Sequence, residues 1–294
     1  MGSTPDTDKS PKGDARSPLG TRHKLAKMTS QRRLRILVTD DNPINQKVTT
    51  SLVENMGHRV DVVSNGKEAV EAFKFIPYDV VLMDLQMPEM DGFEASLQIR
   101  LLKNQDARRT SVIAITAHAR KEDQQKCLAW GFDDYVAKPI LPAELKAAIE
   151  RTITNSGSKR ASPLLAPARS DGDDIDLVDA LARVNGDREL LGEIGRMFLA
   201  QYPVLLVEIH QALSIAKCAA LASAVHMLGS SARQVGAARA LRMARQIQDL
   251  AESRDLANVP ATLAALEAEM ELVKSALVAQ GFVAPTSTEP GCRS

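Results

Sequence analysis

At 294 residues the chain has the length of about two domains, and its composition (44% hydrophobic, 25% charged, zero formal net charge) is that of an ordinary soluble protein. Only 3% of the residues are aromatic, so any core has to be built from Leu, Val, Ile, Ala and Met. Cys127, Cys218 and Cys292 are too scattered for a disulfide framework or a cysteine metal site and fit a reducing cytoplasm, and no run approaches the ~18 apolar residues of a membrane span.

Residues 1–35 hold nine Lys/Arg against three Asp/Glu in a Ser/Thr/Pro/Gly-rich stretch without hydrophobic periodicity. That predicts a disordered basic tail over 1–33, with no apolar segment of the signal-peptide kind. From 34 to 154 the pattern alternates strand and helix five times. Strands are expected at 34–39, 59–64, 79–83, 111–116 and 134–137, and helices at 43–57, 66–75, 92–104, 120–130 and 142–154. Short β-rich runs alternating with helices imply βαβ units, and so a parallel sheet covered on both faces. Residues 155–174, with Pro163 and Pro167 and no lasting period, read as a flexible linker with an r.m.s. span of roughly 25 Å. Beyond Ile175 no strand pattern remains. Amphipathic helices are expected at 176–184, 187–201, 204–216, 218–234, 238–253 and 261–279, broken at Asn185-Gly186, Pro203, Gly236 and Pro260. Together they predict an all-α bundle over 175–282, followed by a disordered tail at 283–294.

The polar residues of the first half fall at the strand ends. Arg35-Ile36-Leu37-Val38-Thr39 closes on Asp40-Asp41, and Tyr78-Asp79-Val80-Val81-Leu82-Met83 on Asp84. The run from Ser111 ends in Thr116, and Asp134-Tyr135-Val136-Ala137 is followed by Lys138-Pro139. In an open parallel sheet the carboxyl ends of the strands line the ligand crevice. Three carboxylates, a hydroxyl and an ammonium there describe a Mg²⁺ site beside a carboxylate nucleophile.

This set, with Met83-Asp84-Leu85-Gln86-Met87-Pro88-Glu89-Met90-Asp91-Gly92, resembles the receiver domain of response regulators over residues 34–154. The resemblance implies a flavodoxin-like doubly wound five-stranded sheet. Asp84 is then the phospho-accepting aspartate and Asp41 the direct Mg²⁺ ligand. Asp40 would act through water, and the backbone carbonyl of Gln86 would complete the protein's ligands. Lys138 and Thr116 would meet two phosphoryl oxygens. Thr116 and Tyr135 match the hydroxyl–aromatic pair that switches the surface around 117–140, and the pattern implies a cis Lys138–Pro139 bond. Phosphoryl transfer needs little beyond such positioning and charge neutralisation.

Of five histidines, His23, His58, His118 and His210 read as ordinary solvated or packed side chains. His226 lies in Ala224-Val225-His226-Met227-Leu228-Gly229-Ser230-Ser231-Ala232-Arg233-Gln234-Val235-Gly236. Gly229 and Ser230 fall one turn away on its face, which predicts an imidazole open to a partner. A Gly inside a helix costs about 1 kcal/mol, so it needs a reason. The stretch resembles the histidine phosphotransfer (HPt) domain, a helical bundle with one phosphorylatable histidine, over about 175–280. It departs from that family's His-x-Leu-Lys-Gly pattern, since no lysine follows Leu228. Arg233, two turns on, lies on the same face.

The resemblances imply a cytoplasmic phosphorelay protein laid out like the C-terminal part of hybrid sensor histidine kinases. A histidine kinase would phosphorylate Asp84, which would exchange the group with His226, and a downstream response regulator would receive it. Mg²⁺ is the expected cofactor. No kinase core, no direct DNA binding and no membrane span are expected. The alternative is a receiver-controlled protein-docking module with a degenerate HPt bundle. A haloacid-dehalogenase-type phosphatase is a weaker rival, because Thr39-Asp40-Asp41-Asn42-Pro43 does not match its nucleophile segment.

Overall fold

The computed structural model describes residues 32–103, 110–116, 127, 130–154 and 175–282. The expected tails, the 155–174 linker and most of the 120–130 helix, with His23 and His118, lie outside them. From Leu34 onward the chain forms one compact unit.

Five strands, β1 (Arg35–Thr39), β2 (Arg59–Val63), β3 (Val80–Asp84), β4 (Ser111–Thr116) and β5 (Asp134–Ala137), make a wholly parallel sheet in the order β2-β1-β3-β4-β5. This is the doubly wound flavodoxin-like topology, with β1 and β3 adjacent and the crevice at their carboxyl ends. Strand residues alternate between faces. Ile36, Val38, Leu82, Ile113 and Ile115 pack on α1 (Pro43–Asn55) and α4 (Pro142–Thr154), whereas Leu37, Val81, Met83 and Ala114 pack on α2 (Gly66–Phe75) and α3 (Gly92–Lys103). The expectation of uniformly buried strands fails at β2. It is an edge strand with one pairing partner, so Arg59 and Val62 reach solvent.

The second half contains α5 (Leu177–Arg183), α6 (Arg188–Ser214), α7 (Cys218–Gln234), α8 (Ala238–Glu252), a 3₁₀ turn at Leu256–Asn258 and α9 (Val259–Ala279). Helices α6 to α9 pack in a ring, each against the next and α9 back on α6, around Phe198, Leu205, Leu221, Leu228, Ile247 and Leu266. The break expected at Pro203 does not occur, and α6 runs through it for 27 residues. A proline there lacks one N–H and costs about 3 kcal/mol. The stripe Ile194, Phe198, Tyr202, Leu205 and Ile209 is buried on both sides of it and outweighs that cost. By length and composition α6 also matches a membrane span, but this stripe makes it the core helix of the bundle.

The two halves are in contact. α1 touches both α6 and α7, and one apolar cluster runs from the α1 face of the sheet into the bundle.

Candidate functional site

Asp84 is the last residue of β3, which ends one position later than expected, and Asp40 follows the end of β1. Parallel pairing of β3 beside β1 brings these ends together, and carboxylate oxygens of Asp40, Asp41 and Asp84 all lie within 4.8 Å of one another. The turn beyond β3 depends on Gly92. A Cβ there would lie 2.1 Å from the carbonyl oxygen of Asp84, so no other residue lets α3 start this close.

Lys138, next after β5, donates from Nζ to Asp40 Oδ2 at 2.9 Å and to Asp84 Oδ2 at 2.5 Å. Its backbone N–H donates to Thr116 O, and the Lys138–Pro139 peptide is cis. Burial opposes the ammonium charge, but Asp40 and Asp84 outweigh it and hold Lys138 above its ordinary value. Asp84 is raised by burial; Lys138 pulls it back, and the charges of Asp40 and Asp41 push it up again. Asp41 is pushed up to about 6 by burial and by Asp40, against Lys138.

Three carboxylates against one ammonium leave two negative charges uncompensated in a buried site. That electrostatic deficit, and an all-oxygen donor set, fit a hard divalent cation. Gln86 and Thr116 line the same ≈ 670 Å³ cleft as Asp41. Tyr135 is buried beside it with Phe132 and Cys127 in the second apolar cluster.

His226 on α7 and Gln248 on α8 line the same cleft. The imidazole Nδ1 lies 3.4 Å from Gln248 Oε1, and the amide is oriented because its Nε2 donates to Glu252 at 2.9 Å. An acceptor at Nδ1 places the ring proton there and leaves the lone pair on Nε2. Burial and the charge of Lys138 lower the pKa of His226, Gln248 partly restores it, and Arg233 lowers it further. The ring is therefore neutral and nucleophilic at pH 7.

Docking rests on residues the sequence reading missed. Asn42 caps α1 with its oxygen, while its Nδ2 donates to Ser231 Oγ at 2.8 Å and to the Met227 carbonyl at 3.2 Å. Asn45 donates to Asp40 Oδ1 and Ser230 Oγ and accepts from Gln234 Nε2. A polar residue inside the buried stripe of α1 was the signal available for Asn45, and a capping position before Pro43 the one for Asn42. Gln248 had no such signal, because only helix packing brings it to His226. Gly229 has a different reason from the one expected. A Cβ there would meet Ala244 at 3.0 Å, so the glycine lets α8 approach α7, whereas Ser230 faces the sheet domain.

A response regulator receiver domain matches residues 36–150, and an Hpt domain matches residues 193–276. The chain is 32% identical over 218 residues to the signal transduction histidine-protein kinase BarA of Escherichia coli, covering 72% of this chain and 23% of that protein. It is 30% identical over 252 residues to the sensor histidine kinase GacS of Pseudomonas protegens, covering 82% and 27%. It thus spans about a quarter of these relatives' lengths. The receiver domain of sensor histidine kinase PA1611 from Pseudomonas aeruginosa, described with a magnesium ion in its active-site cleft, is 39% identical; the match covers 42% of this chain and 100% of that one, with a TM-score of 0.39.

Proposed function

Since this chain belongs to the two-component signalling proteins, joining a receiver domain to an Hpt domain, we propose that it is a phosphorelay protein whose phosphoryl group passes between Asp84 and His226. The observation that carries this reading is one cleft lined both by Asp41 of the acid cluster, with Gln86 and Thr116, and by His226. On this reading the receiver spans 34–154, the linker 155–174 and the Hpt bundle 175–282. The chain works in the cytoplasm without an ATP-using kinase core, a DNA-binding surface or a membrane span. A histidine kinase supplies the group and a downstream response regulator accepts it.

Asp40, Asp41, Asp84 and the Gln86 carbonyl would hold Mg²⁺, which when bound supplies the positive charge that lets a phosphoryl group approach three carboxylates. An Asp84 oxygen attacks the phosphorus of the donor phospho-histidine, and the donor P–N bond breaks with its electron pair returning to the donor imidazole. Lys138 and Thr116 then hold two phosphoryl oxygens of the resulting acyl phosphate. In the second transfer the Nε2 lone pair of His226 attacks that phosphorus. The P–N bond forms as the P–O bond breaks, and its electron pair returns to the Asp84 carboxylate. The proton stays on Nδ1, held against Gln248.

The test is incubation with Mg²⁺ and radiolabelled acetyl phosphate, followed by acid and alkali treatment. Aspartyl phosphate is lost in alkali and phospho-histidine in acid. Alkali-stable label that disappears in both Asp84→Asn and His226→Gln supports the relay. Wild-type protein that acquires alkali-labile label only would instead indicate a docking module switched by its receiver.

A further inference from the structure

Arg233 is an anomaly in the bundle. It is 8% exposed, its Nε is buried without a partner, and its side chain makes no hydrogen bond or ion pair among the described residues. A buried guanidinium is normally paired, since an uncompensated buried charge is strongly unfavourable. Its charged surroundings are cationic. Arg183 on α5 donates to the Arg233 backbone carbonyl and pairs with Asp179, and Arg245 lies on the neighbouring α8. Burial, Arg245 and Arg183 all push the Arg233 guanidinium down, to about 9, and it still carries its charge at pH 7. Among the described residues nothing accounts for a cation here.

Placement on α7 supplies a reason. Arg233 is seven residues beyond His226, which on a helix is roughly 10 Å along the axis and nearly the same angle around it. Helical side chains lean toward the N-terminus, so Arg233 leans back along the His226 face. The residue between them on that face, Gly229, carries no charge and is covered by Ala244 and Leu241 of α8, and Ser230 is turned to Asn45. Arg245 sits on α8 between Ala244, which packs at Gly229, and Gln248, which holds His226. Arg233 interacts electrostatically with both Arg245 and His226, which sets its charge beside this stretch. From Met227 to Gln234 it is the sole Lys or Arg in the sequence.

We propose that Arg233 is a positioning residue of the phosphotransfer reaction: its unpaired guanidinium is the counter-charge for phosphoryl oxygens carried on His226 Nε2. The proposal rests on the relay reading. On the receiver wall the phosphoryl group is neutralised by Lys138, and on the bundle wall by Arg233. When His226 is to be phosphorylated and the bundle leaves the receiver, Lys138 leaves with it and Arg233 stays. A guanidinium also offers a planar fork of donors suited to phosphoryl oxygens.

The test uses the full chain, Mg²⁺ and radiolabelled acetyl phosphate, reading the equilibrium ratio of alkali-stable to alkali-labile label together with thermal unfolding. Arg233→Gln is expected to lower that ratio roughly tenfold or more, the scale set by loss of one charged donor at an anion. It should leave labelling of Asp84 unchanged and melt no lower than wild type, because it removes an unpaired buried charge. Arg233→Lys, which keeps the charge, should restore most of the ratio. An unchanged ratio in Arg233→Gln overturns the inference and leaves the relay reading intact. So does a lost ratio that Arg233→Lys fails to restore, or one that comes with a lower melting temperature, since either marks a packing role. Absence of alkali-stable label in wild type overturns the relay reading, and this inference with it.

Discussion

Asn45 and Gln234 meet across the two domains: the amide nitrogen of Gln234 donates to Asn45 Oδ1 at 2.9 Å, while Asn45 Nδ2 lies 3.0 Å from Asp40 Oδ1 and 2.9 Å from Ser230 Oγ. A single buried side chain thus ties the acid cluster to the helix that carries His226. The salt bridge between Lys47 and Glu193, over a third exposed on each side, adds little by comparison.

Replacing Asn45 should therefore weaken docking more than folding. Asn45→Ala leaves Gln234 and Ser230 without partners wherever the domains stay together, at about 1–3 kcal/mol for each buried unsatisfied group. The expected outcome is slower formation of alkali-stable label, by roughly tenfold, with Asp84 labelled by acetyl phosphate at close to the wild-type rate. Equal loss of both labels would mean that Asn45 serves the receiver alone.

The elevated Asp41 makes cation binding pH-dependent. With a folded pKa near 6 against an ordinary 3.8, the metal-free folded state keeps a proton that the unfolded chain releases. Its contribution to stability is thus present at low pH and is lost as pH rises from about 4 through 6. A divalent cation has to displace that proton, so its affinity should climb with pH through about 6, and on through about 7, the value to which Asp84 is raised. Melting temperature measured with and without Mg²⁺ at pH 5 and pH 7.5 checks this: the increment should be larger at pH 7.5.

Gly92→Ala should damage the site through the backbone. Its Cβ would fall 2.1 Å from Asp84 O and 2.9 Å from the Leu85 Cα, neither of which can swing aside. Overpacking of this kind costs about 1–3 kcal/mol. Urea unfolding should register that loss, and Asp84 labelling should fall further than stability alone explains, because the strand end moves.

Pro203→Ala should stabilise the bundle. Pro203 is solvent-exposed inside α6, so nothing packed is lost, and the alanine restores one backbone donor. Helix propensity favours the change by about 3 kcal/mol, and the freer unfolded chain takes back about 1. Chemical denaturation should show a gain of about 1–2 kcal/mol, with label on His226 unaffected.

Local pattern made most of the elements legible. The strand and helix alternation is written as period-2 and period-3.6 spacing, and the apolar runs located all five strands to within a residue of either end. Pro203 misled, because propensity is a local quantity and burial of Phe198, Tyr202 and Leu205 is not. The strand-end positions of Asp40, Asp41, Asp84, Thr116 and Lys138 foretold a cluster, since in a parallel sheet every carboxyl end faces the same way. Even Arg233 could be placed on the His226 face by counting residues.

What the sequence determined by itself, then, was everything that follows from spacing along one chain: the fold class, the order of the two domains, and which side chains share a strand end or a helix face. Only the tertiary structure decided that α1 and α7 pack together, that Asn42 and Asn45 bridge to Ser231, Ser230 and Gln234, that Gly229 serves α8, and that the buried Arg233 Nε has no partner among the described residues. Those facts are set by contacts between residues up to about 190 positions apart, whose energies depend on how two surfaces meet in space and leave no periodic trace in either segment.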